Sequence, residues 1–191
     1  MRPQEYMLIV FNAIRCFPHL VLFSVHRNKQ IIKADMKRAL ADMEKNYGTY
    51  FGLLYLLSLC KEFRNLFYYR TRPFSFLLQF ICREQSSLFI QTKSIGEGFT
   101  ITHGFATAIG AEAIGKNCTV YQQVTIGGTD DGAPVLKDNI KVYAGAVIFG
   151  KITIGNNVTI GANATVYMNV PDNSSVLPGT SKVFRWKSKK E

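Results

Sequence analysis

The sequence predicts a mainly β protein: a parallel β-solenoid over residues 88–180, preceded by an α-helical region over 1–87 and followed by a basic tail over 181–191. The first observation behind this is a six-residue aliphatic rhythm. Ile95 and Ile101 are six apart, Ile114, Val120 and Ile126 form a second run, and Val142, Ile148, Ile154, Ile160 and Val166 form the longest. A fixed hexapeptide period marks a solenoid in which each repeat makes one short strand and a turn. The second observation is the glycine that follows many of these positions, as in Ile95-Gly96, Ile114-Gly115 and Ile160-Gly161. The third is that neither a helical period of about 3.6 nor a strand period of about 2 fits this run, whereas the N-terminal region does show helical spacing.

In chain order, residues 7–23 are apolar but contain Asn12, Arg15, Pro18 and His19. They read as a packed helical start, too interrupted for a membrane span, with peripheral contact between a basic, apolar region and a membrane surface as the alternative. Residues 31–44 combine helical spacing with good helix formers. Tyr47-Gly48-Thr49 breaks that run. Residues 51–69 predict a second, strongly apolar helix or pair of helices, with Lys61-Glu62-Phe63-Arg64 as a polar interruption. Arg72-Pro73 is a boundary, because proline disfavours helix at the residue before it. Residues 74–82 predict a last apolar helix leading into the solenoid. The aromatics crowded here, among them Phe63, Phe67, Tyr68 and Phe76, are expected in the core or against the first coil, with acceptor recognition as the alternative. Sixteen residues separate Ile126 from Val142, which is not a multiple of six, and the intervening stretch is rich in turn residues. Segment 127–138 therefore predicts a protruding loop, of the kind that falls on the binding face of repeat scaffolds. A smaller slip, thirteen residues between Ile101 and Ile114, contains His103.

The net charge of +10 is uneven: residues 1–90 carry 13 Lys/Arg against 6 Asp/Glu, and residues 91–191 carry 10 against 7. Such a surplus suits an anionic cofactor, a polyanion or a membrane surface. No zinc finger or aromatic–basic RNA motif is present, so nucleic acid is not an expected partner. The four cysteines lie far apart with no CxxC pair. They predict free thiols in a reducing cytoplasm and no metal site.

Of the three histidines, His19 and His26 sit in the helical region with no ordered motif around them, while His103 sits in Ile101-Thr102-His103-Gly104, where the repeat falters. Taken alone, such a histidine is an ordinary surface or core residue. Its context is more specific. Val120-Tyr121-Gln122-Gln123-Val124-Thr125-Ile126-Gly127-Gly128-Thr129 resembles the Q-x-V-T-[IL]-G-G-T segment of the serine acetyltransferase branch of the hexapeptide-repeat acyltransferases. Ser94-Ile95-Gly96-Glu97-Gly98 followed by Ile101-Thr102-His103 is similar to that branch's I-G-x-G with its active-site histidine. Tyr143-Ala144-Gly145-Ala146 and Ile160-Gly161-Ala162-Asn163-Ala164 are similar to its later coils.

The resemblance implies a left-handed parallel β-helix, a homotrimer with sites between solenoids, and acetyl-CoA as co-substrate without a metal. It implies His103 as general base, taking the acceptor's hydroxyl proton and passing it to the leaving thiolate in a ternary complex. It implies Gly127, Gly128, Thr129, Ala144, Ala146, Ala162 and Ala164 along the cofactor groove, with Lys182 and the tail toward the cofactor's phosphates. The chain departs from the branch at four points. Leu88 stands where an aspartate orients the histidine, and Thr102 stands where an aspartate precedes it. The loop carries no His or Arg, and the proline after the last coil is lost. A neutral polyol needs hydrogen bonds rather than paired charges, which Thr102, Gln91 and Gln122 could supply. The expected acceptor is thus a saccharide hydroxyl, at the cytoplasmic face of the membrane. A serine O-acetyltransferase and a non-catalytic CoA-binding or scaffold solenoid are the alternatives.

Overall fold

A computed structural model describes residues 3–179. The helices are α1 (Pro3–Val25), α2 (Lys29–Asp42), α3 (Thr49–Leu59), α4 (Lys61–Thr71) and the single turn α5 (Leu78–Ile81). The apolar stretch 51–69 resolves into a pair because Cys60 adopts an extended backbone, φ −113° and ψ 100°, between α3 and α4. The helix expected over 74–82 shrinks to α5, since the chain after Pro73 runs through consecutive turns. Asn12, Arg15, Pro18 and His19 do not interrupt α1. It is one helix of 23 residues, long and apolar enough by length and composition to cross a membrane.

The solenoid strands stack into three parallel sheets, each taking every third strand until the last coil, where β14 follows β12 because the second sheet is continued only by a bridge from Ile154 to Val170. The first sheet holds β1 (Leu88–Ile90), β4 (Thr107–Ile109), β7 (Thr125–Gly127), β10 (Val147–Phe149) and β13 (Thr165–Val166). The second holds β2 (Ser94–Ile95), β5 (Ala113–Ile114), β8 (Val135–Leu136) and β11 (Thr153–Ile154). The third holds β3 (Thr100–Ile101), β6 (Thr119–Val120), β9 (Lys141–Val142), β12 (Thr159–Ile160) and β14 (Ser175–Val176). The hexapeptide residues form the inward columns: Ile95, Ile114, Leu136 and Ile154 stack in register and are buried. Leu136 fills the inward place midway through the irregular stretch. Val135 and Leu136 therefore belong to the coil, and the excursion is shorter than the expected 127–138, closed by a bridge between Thr129 and Gly132.

Asparagine carries the corners between the second and third sheets. Asn117, Asn139, Asn157 and Asn173 all have φ between 55° and 59°, a conformation that Asn tolerates better than most residues. Their amides also ladder from coil to coil, Asn139 to Asn157 at 3.0 Å and Asn157 to Asn173 at 2.8 Å. Gly115 is needed for close approach, because a Cβ there would lie 2.7 Å from the Lys137 carbonyl carbon.

A buried ionic node docks the helices on the first coil. Arg70 of α4 donates through Nε to Asp35 of α2 at 2.9 Å, and through its other nitrogens to the carbonyls of Ile95 and Gly96. The Phe99 N–H donates to Asp35 Oδ1 at 2.9 Å. Arg38 of α2 adds bonds to the Gly98 carbonyl and the Thr119 hydroxyl.

Within the helical core, His19 of α1 meets Tyr68 of α4, Nε2 to Oη 2.9 Å. The Tyr68 hydroxyl donates to the Cys82 carbonyl, so His19 Nε2 carries the proton of a neutral imidazole. Burial, helped by the Arg64 and Arg15 charges, lowers the His19 pKa to about 4. A base with a depressed folded pKa stabilises the fold above its unfolded value, near 6.5, and that contribution is lost as pH falls toward 4. Unfolding midpoints in urea should accordingly fall between pH 7 and 4, with His19 accounting for about 2–3 kcal/mol. His19→Gln should flatten that dependence; an unchanged profile would remove His19 as its source. Cys16 and Cys82, which are 66 residues apart in sequence, lie here with their Sγ atoms at 3.8 Å as free, buried thiols.

Candidate active site

An irregular corner positions His103. Between the third and first sheets the later coils take six residues from one inward side chain to the next: Val120 to Ile126, Val142 to Ile148, Ile160 to Val166. The first coil takes eight, Ile101 to Ile109. Each later corner turns through one residue with positive φ: Gln123 at 60°, Gly145 at 73° and Asn163 at 59°. Ala106, at 50°, is their stacked equivalent, because the neighbouring Phe105 carbonyl accepts from the Gln123 N–H at 2.8 Å. His103 and Gly104 are the two added residues, at φ 65° and 55°. A left-handed backbone at a non-glycine residue costs about 1–3 kcal/mol, and such residues gather at functional sites. The insertion leaves His103 exposed at the corner.

Gly104 is buried against the helical region. A Cβ there would come within 3.0 Å of Glu62 Cβ and 3.1 Å of Leu88 Cδ2. Leu88, which by the resemblance stands where an orienting aspartate is expected, therefore borders the histidine corner as an apolar neighbour. Glu62, a half-buried residue on the first turn of α4, meets the same corner through its Cβ. Sequence reading missed it: 41 positions separate Glu62 from His103, and no local motif links a helix to a solenoid corner.

The other expected substrate groups divide. Thr102 is half-buried beside His103 and donates its N–H to the Val120 carbonyl at 2.9 Å. Gln122 lies in the next corner, stacked on this one, and its buried Oε1 has no partner among the described residues. Gln91 does not join them. It follows β1 at the far end of the first sheet, with its N–H on the Ile109 carbonyl. Leu88, three residues earlier, is the one that borders Gly104, and three strand residues span about 10 Å.

The expected cofactor residues fall into three groups. Ala144, half-buried, and Ala162, exposed, stack above Gln122 on the histidine corner. Gly127, Gly128 and Thr129 lie at the opposite end of the first sheet, where a Cβ on Gly127 would meet nothing within 4 Å. Ala146 and Ala164 are corrections: both are core residues, 0% and 1% exposed, because their side chains point into the coil. They cannot line an outer groove with their methyl groups. Lys182 lies outside the described residues. Two of the charges near the irregular stretch are engaged elsewhere. Glu112 pairs with Lys93 at 2.8 Å, and Lys137 approaches Asp172 at 3.8 Å.

No protein-family model matches the chain. It is 44% identical over 92 residues to a serine acetyltransferase of Synechococcus elongatus, covering 44% of this chain and 38% of that protein. It is 39% identical over 93 residues to one of Bacillus subtilis, covering 45% and 43%. The matches thus span about two fifths of the length of these curated relatives. Among solved structures, the chain superposes on Neisseria gonorrhoeae serine acetyltransferase in complex with serine. The TM-score is 0.65 and the identity 24%, over 84% of this chain and 70% of that one. On Entamoeba histolytica serine acetyltransferase 1 in complex with L-cysteine the TM-score is 0.63 and the identity 23%, over 91% and 72%. The chain therefore has a parallel β-solenoid that matches the left-handed β-helix fold of these acyltransferases, and over its matched residues it is similar to serine acetyltransferases.

Proposed function

We propose that the chain is an acetyl-CoA-dependent O-acetyltransferase acting in the cytoplasm, with L-serine as the acceptor that the similarities favour. The observation that carries this is the inserted corner presenting His103, within a solenoid similar to those of serine acetyltransferases. The saccharide acceptor expected from sequence has no support among the relatives and becomes the second reading. One observation keeps it in play: uncharged Thr102 adjoins the histidine, and Gln122 in the stacked corner has a buried Oε1 with no partner among the described residues.

In this reading an acceptor hydroxyl donates its proton to His103 as its oxygen attacks the thioester carbonyl. The tetrahedral intermediate then collapses, and the proton passes to the departing thiolate. Ala144 and Ala162 flank the cofactor's path on the histidine corner. Gly127, Gly128 and Thr129 would meet the same groove from a neighbouring copy in a homotrimer. Glu62 supplies the carboxylate that Leu88 does not, holding the imidazole by one ring nitrogen or accepting the ammonium of serine.

Thiol release from acetyl-CoA with L-serine, or with a panel of sugars, tests the acceptor. Turnover of serine supports the first reading, and turnover of sugars alone selects the second. Glu62→Gln is expected to lower kcat on the order of tenfold or more. A raised KM for serine with kcat unchanged would place Glu62 on the substrate instead. A variant with wild-type kinetics would remove it from the site.

A further inference from the structure

The outermost helix is built inside out. Its buried face is Ile9, Asn12, Cys16, His19 and Phe23, spaced three and four residues apart. Two of those five are polar, and His19 is satisfied only through Tyr68. The opposite face, also at helical spacing, is Met7, Phe11, Ile14, Phe17, Val21 and Val25, all exposed, with Ile14 at 86% and Phe11 at 75%. In a water-facing helix the polar residues lie outside; here the apolar side is the one turned away from the fold.

The segment after α4 extends this surface. Phe74, Phe76, Leu77 and Phe80 are each more than 60% exposed. They run alongside α1: Phe74 shares a shallow hollow with Leu22 and Val25, and Cys82 reaches Cys16. An exposed apolar area of this extent marks an interaction site.

The charged residues around it are mostly basic. Arg15, Arg27, Arg72 and Arg83 are exposed on these same segments, against the half-buried Glu5 and Glu84. Arg27 and Arg72 line the hollow with Phe74.

We propose that this face docks on an anionic lipid bilayer, with α1 lying in the interfacial plane. Apolar side chains flanked by arginines suit acyl chains beneath anionic headgroups. A second copy of the chain would bring the same cationic rim against itself. A spanning helix would strip α1 from α3 and α4 and expose Asn12, Arg15 and His19 to lipid. The inference does not depend on the transferase reading, because it uses no residue of the histidine corner.

The test is flotation of the full chain with vesicles of phosphatidylcholine and phosphatidylglycerol in about a three-to-one ratio, against pure phosphatidylcholine. The anionic vesicles should carry the protein, less so at high salt. The combined Phe11→Gln, Ile14→Gln and Phe17→Gln variant should lose about tenfold or more of its binding. These side chains point away from the fold, so circular dichroism should be unchanged. Phe76→Gln with Phe80→Gln, on the other half of the surface, should weaken binding as well and serves if the first variant does not fold. No flotation of the wild type, or equal flotation of wild type and both variants, overturns the proposal. So does a wild-type protein that, without lipid, elutes as a larger assembly which the variants dissolve, since a second copy then covers the face.

Discussion

Replacing His103 with Ala is expected to lower kcat/KM for acetyl transfer by about 10²–10⁴-fold while leaving the fold intact. The activity loss follows from the chemistry. An alcohol holds its proton far above neutral pH, and an imidazole is the side chain that accepts such a proton near pH 7 and can give it up again. The intact fold follows from the geometry. His103 is one of two residues added to an otherwise regular corner, it is exposed, and no inward column contains it. Alanine keeps the same Cβ at this left-handed position and disturbs no inward column, so thermal unfolding of the variant should stay close to the wild type. Turnover of the variant within about twofold of wild type would remove His103 from the mechanism.

Replacing Asp35 with Ala is expected to cost about 3–5 kcal/mol of stability and to loosen the helical region from the solenoid. The change leaves the Arg70 guanidinium buried without its carboxylate and deprives the Phe99 N–H of an acceptor. Burial pushes the Asp35 carboxyl up, against the downward pull of Arg70. The pair is therefore a weak net stabiliser with a strong positional effect, since breaking it costs far more than never having had it. Changing both residues, Asp35→Ala with Arg70→Leu, should recover part of the loss. Denaturant unfolding of the three proteins measures this. A double variant as unstable as the single one would mean that the carbonyl contacts of Arg70, rather than the ion pair, hold the joint. Because α4 carries Glu62 to the histidine corner, the single variant should also lose activity below its unfolding transition.

The solenoid was legible because its code is local and repeated. An aliphatic residue every six positions must point inward when the chain coils, and the stacked register of Val120 on Ile101 and Val142 on Val120 follows from that period. Even the slip at His103 was visible as a count that failed. What the count could not say is which residues were extra, and that decides where the imidazole goes. Ala146 and Ala164 show the opposite error. The family pattern marked them as small, but the coil's inward alternation makes them core. Within one chain Gln91 stays apart from the histidine corner, because three strand residues carry it away from Leu88.

The sequence by itself determined the coil: its period, its inward columns, its glycine and asparagine corners, and the place where the rhythm breaks. These are set by interactions between neighbours along the chain and one turn away, so each repeat states them again. Only the tertiary structure decided what meets across long separations. It brought Glu62 of α4 beside the histidine corner, Asp35 and Arg70 onto the first coil, Cys16 next to Cys82, and the apolar side of α1 outward. Each depends on how an aperiodic helical region packs, where burial and charge pairing between distant residues, and no repeated local rule, select one arrangement.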